Sequence, residues 1–194
     1  NGWPRGTKPT FADADRITLD ALIRSVAPGV RDRLLALAQR WGETSLFQSV
    51  VPEIAAGLRR QLGDAAASAD QRIQAARQLV GLQVAASDLS LIVGQVNALT
   101  PPALATGLVG ALADSREAAV ASAVVGRWKE FTPGIRRAAV FTLMRRAEWA
   151  AALLDAIEKG DVTRGDVAAD QWTQLKANAN RAVADRATKL SAAA

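Results

Sequence analysis

Thr100-Pro101-Pro102-Ala103-Leu104-Ala105-Thr106-Gly107-Leu108-Val109-Gly110-Ala111-Leu112 is the stretch that decides the fold of this chain. A hydroxyl residue able to cap a helix precedes two prolines and an apolar run in which Leu104, Leu108 and Leu112 recur at helical spacing. A proline in the first turn gives up only an N–H that has no helical partner, so it starts a helix here instead of breaking one. Two further segments open in the same way. Ser68-Ala69-Asp70 lies 32 residues earlier and Thr132-Pro133-Gly134 lies 32 residues later. A fixed interval between helix starts indicates stacked helical hairpins, an α-solenoid in which no unit buries its apolar face alone.

A fourth copy is visible in the residues themselves. Ala27-Pro28-Gly29-Val30-Arg31 repeats the Pro-Gly, β-branched and Arg pattern of Thr132-Pro133-Gly134-Ile135-Arg136, 105 residues downstream. That offset is about three units of ~35 residues, within the range of helical solenoids, and an insertion between Ser45 and Pro52 absorbs the difference. The periodicity predicts helices over Arg16 to Val26, Gly29 to Trp41, Pro52 to Leu62, Ala69 to Val80, Asp88 to Leu99, Pro101 to Leu112, Arg116 to Lys129, Pro133 to Arg146, Glu148 to Lys159, Ala169 to Ala177 and Arg181 to Leu190. Gly42 and Gly160, each just after a helix carrying a cation near its end, read as left-handed C-caps. Residues 1–10, with Gly2, Trp3, Pro4, Gly6 and Pro9, read as an extended arm, and 11–194 as one helical-repeat domain. The terminal Ser191 to Ala194 is expected to fray.

Composition restricts the chemistry severely. The 194 residues include no His, no Cys and no Tyr, so Ser-His-Asp and Cys-His sites, disulfides and Cys- or His-ligated zinc are excluded. Acid–base work would fall to a carboxylate pair or a buried Lys, and no loop assembles one. The chain is therefore expected to be non-catalytic and to carry no haem, metal or nucleotide cofactor. No run of about 18 apolar residues provides a membrane span. The start at Asn1, without Met or a leader pattern, suggests a processed protein or an excised domain.

Other features have plain structural readings. Asp13, Asp15 and Asp20 lack the Gly and terminal Glu of a calcium loop and read as a helix start. Asp161, Asp166 and Asp170, beside Gly160 and Gly165, read as a turn between helices. Gly107 and Gly110 read as sites of close helix packing. Trp41, Trp128, Trp149 and Trp172 fall near helix ends and are expected to seal the layers between repeats. A net charge of +5 raises nucleic acid as a partner, with Arg59, Arg60, Arg136, Arg137, Arg145 and Arg146 as the candidate surface residues if the repeats place them on one concave face. Against this, 19 carboxylates are interspersed with 24 cations, which favours a solvated surface.

Gly2-Trp3-Pro4-Arg5-Gly6, Arg40-Trp41-Gly42, Trp149 with Leu153-Leu154-Asp155-Ala156-Ile157-Glu158-Lys159-Gly160, and the closing Leu175, Arg186-Ala187 and Lys189-Leu190 together resemble a known group. It is the HEAT-like helical region of large planctomycete-type bacterial proteins, which lies between a β-propeller "membrane-bound dehydrogenase" domain and a c-type cytochrome domain. Asn178 stands where that family often has a His after the Leu of its final helical pair, and the haem-attachment motif is absent from this chain. The resemblance implies an extracytoplasmic, all-α, HEAT-like solenoid of about five hairpins. It would act as a monomeric interaction or spacer module whose partners are neighbouring domains of the same polypeptide or another protein. A nucleic-acid-binding repeat protein is the alternative, and a carboxylate-based hydrolase the third.

Overall fold

The computed structural model describes residues 10–41, 46–47, 50–82 and 86–192. Among them it forms eleven α-helices and three short 3-10 turns, and no strand, so the all-α expectation holds. The helices are α1 (Asp13–Ser25), α2 (Pro28–Trp41), α3 (Val51–Gly63), α4 (Ala69–Gly81), α5 (Ala86–Gly94), α6 (Pro102–Ala111), α7 (Ala119–Gly126), α8 (Pro133–Leu143), α9 (Ala147–Lys159), α10 (Ala169–Lys176) and α11 (Arg181–Ala192). No helix among the described residues is long and apolar enough to cross a membrane. Residues 1–9, Gly42 and the last two alanines lie outside the described set, and with them most of the expected arm, one expected C-cap and the end of the tail expected to fray, whose Ser191 and Ala192 are helical.

The stretch expected as one repeat domain falls into two compact units, 1–58 and 59–194. In the first, α1 packs on α2, and Ile23, Leu35, Ala38, Phe47, Val50, Ile54 and Leu58 are buried. Phe47 has φ 70°, in the left-handed region, which costs an L-residue about 1–2 kcal/mol. Its buried ring offsets that strain, and its carbonyl accepts the N–H groups of Val50 and Val51 as α3 begins.

In the second unit each helix packs on the helix two further along. One row runs α4, α6, α8 and the other α5, α7, α9, α11, while α10 joins the first row through Gln171 Nε2, which donates to the Arg137 carbonyl at 2.9 Å. Register along the first row is nearly constant. Gly107 of α6 lies against Ile73 of α4, and Thr142 of α8 donates to the Val109 carbonyl of α6. The two contacts span 34 and 33 residues of sequence, so successive pairs of this row are joined at nearly the same interval. The Leu104, Leu108 and Leu112 stripe read from the sequence is buried at α6, and the two helices before it bury Ala76, Leu79 and Val80 of α4 and Leu89, Ile92 and Val93 of α5.

The caps hold in part. Ser68 accepts the Gln71 N–H at 3.2 Å while the Gln71 side chain accepts the Ser68 N–H, a reciprocal capping box. Thr132 accepts the Ile135 N–H. Gly160 has φ 82°, and the Asp161 N–H reaches back to the Ala156 carbonyl, closing α9 as a Schellman motif. Thr100 does not cap α6. Its hydroxyl donates to the Gln95 carbonyl and accepts the Asn97 N–H, so it closes the turn behind it. That turn also explains why α5 stops at Gly94 and not at Leu99: the Asn97 side chain accepts the Leu99 N–H, a local bond that competes with continued helix. The helix expected over 116–129 is likewise shorter, α7 ending at Gly126 before a 3-10 turn at Trp128–Glu130.

Candidate interaction surface: the arginine pairs and the tryptophans

Each predicted arginine has a definite place, and four of the six already have partners. Arg59 of α3 forks onto Asp88 in the first turn of α5, Nε donating to one carboxylate oxygen and Nη2 to the other. The acid is buried, with a side-chain exposure of 3%, whereas the arginine keeps 42%. The hydrogen bond to Asp88 raises the Arg59 pKa above its ordinary value. Arg136 Nη1 donates to Asp166 Oδ1 at 2.9 Å, and Arg137 Nη2 donates to Asp170 Oδ2 at 3.2 Å. Arg146 Nε donates to the Ser115 carbonyl at 2.8 Å, its guanidinium carbon lying 5.3 Å from the centroid of the Trp149 ring. Arg60 and Arg145 are exposed, and no ion pair to a described residue holds either side chain.

These partners lie in different parts of the second unit. Arg59 is tied to α5 in one row, Arg136 and Arg137 to the turn before α10 and to α10 itself, and Arg146 to the segment after α6. These links span similar lengths of sequence: 29 residues for Arg59–Asp88, 30 for Arg136–Asp166, 33 for Arg137–Asp170 and 31 for Arg146–Ser115. Arg186 of α11 does the same, bonding Asp155 and Glu158 of α9, and these bonds raise its pKa.

The tryptophans take part in the same links. Trp149 is fully buried, and its Nε1 donates to the Glu117 carbonyl at 3.0 Å, 32 residues back. Trp128 is buried beside Phe131, with ring centroids 6.2 Å apart, and its Nε1 donates to Asp166 Oδ2. Trp41 stacks obliquely on Phe11 at 6.1 Å in the first unit. Trp41 and Trp172 are both only half-buried.

Asp166 is the hub the sequence does not single out as such. Burial works against its charge, and hydrogen bonds from Trp128, the Thr163 hydroxyl, Arg136 and the Thr163 N–H outweigh that burial and hold its carboxyl below the usual range. It thereby fastens the turn after α7, helix α8 and the turn before α10 to one another. Asp161, Asp166 and Asp170 do not gather as ligands, and no group of acids placed to hold a metal occurs among the described residues. The signal that finds Asp88 and Asp166 is the interval between helix starts read from the sequence, since they lie 29 and 30 residues beyond their arginines. No family model matches this chain, and neither does any curated protein or solved structure.

Proposed function

We propose that this chain is a non-catalytic interaction or spacer module of HEAT-like helical repeats, about five hairpins in all, belonging to a larger bacterial extracytoplasmic protein of the dehydrogenase/cytochrome type that its sequence resembles. The observation that carries the reading is the destination of the arginines. In a nucleic-acid-binding surface, guanidinium groups stand free to meet phosphates. Here Arg59, Arg136 and Arg137 are neutralised by carboxylates, and Arg146 is fixed to a backbone carbonyl. Their use is to hold neighbouring repeats in register, which suits a rigid separator between domains. Interfaces between domains of one chain are modest and polar, consistent with a surface of interspersed charge.

The test is a fluorescence-anisotropy titration with labelled duplex DNA. Binding should be absent, or independent of sequence and fading between about 50 and about 200 mM salt, as phosphate contacts alone require. Sequence-selective binding that survives the higher salt would replace this reading with the nucleic-acid one.

A further inference from the structure

We draw no further inference here: the strongest candidate, the outward face of α8, where Phe141 is 56% exposed four residues from Arg137 and four from Arg145, carries nothing, because Arg137 is already paired with Asp170 and nothing in the structure shows what covers the ring.

Discussion

Gly107→Ala is expected to destabilise the second unit although alanine is the better helix former. A Cβ at position 107 would stand 2.3 Å from Ile73 Cδ1, 2.7 Å from Cγ1 and 3.5 Å from Cγ2, where carbon contacts settle near 3.5–4.0 Å. Rotation about the outer torsion of Ile73 can move Cδ1. It cannot move Cγ1, and the inner torsion of a β-branched residue in a helix has one strongly preferred state. Relief therefore requires that α4 and α6 shift apart, an overpacking cost of about 1–3 kcal/mol. Alanine returns up to about 1 kcal/mol of helix propensity, leaving a net loss of about 1 kcal/mol. Gly110 supplies the internal comparison: it lies on the same helix, and a Cβ there meets nothing within 4 Å, so Gly110→Ala should stabilise by up to about 1 kcal/mol. Urea titration followed by far-UV circular dichroism separates the two variants as opposite shifts in midpoint at constant slope. Ile73→Ala should cost less in the Gly107→Ala background than in the wild type, because it clears both close atoms. A Gly107→Ala variant as stable as Gly110→Ala would refute the close approach of α6 to α4.

Trp149→Ala, which empties a fully buried site and leaves the Glu117 carbonyl without its donor, should cost about 3–5 kcal/mol by urea titration; a loss below about 1 kcal/mol would remove Trp149 from the core. The Arg59–Asp88 fork should respond asymmetrically. Arg59→Ala strands a buried carboxylate and should cost up to about 3–5 kcal/mol, more than Asp88→Ala, after which the half-exposed guanidinium can turn to water. The reverse order in denaturation midpoints would contradict the burial of Asp88. Since the folded-state pKa of Asp166 is depressed, its contribution is full above the ordinary carboxylate range near 4 and is lost as pH falls from there through the folded value. Stability measured on the acid side should decline over that window, and Asp166→Asn should flatten the decline; an unchanged slope would show that the hub does not titrate with unfolding.

Much of the secondary structure was legible because it is set by contacts within a few residues. The proline at each start of α2 and α8, the Ser68 cap and the Gly160 cap are local chemistry, and the Leu104, Leu108 and Leu112 stripe is periodicity alone. Where local signals compete, the sequence misled: Thr100 has the form of a cap, yet its hydroxyl is drawn back into the turn built on Asn97. The absence of His, Cys and Tyr likewise removes whole classes of active site without reference to structure.

What the tertiary structure alone decided is which side chains of one type are engaged and which are free. Gly107 and Gly110 look alike in the sequence, but they stand about 60° apart round α6 and about 4.5 Å apart along it, and α4 brings Ile73 against one and leaves the other open. The arginine pairs look like a basic surface because sequence counts charges one by one. The second unit bonds Arg59, Arg136, Arg137 and Arg146 to groups 29 to 33 residues away, and such partners exist only once the helices have stacked in rows. Helical periodicity fixes which residues share a stripe; the neighbour packed against that stripe fixes whether it is core, link or surface, and the neighbour is chosen by the fold.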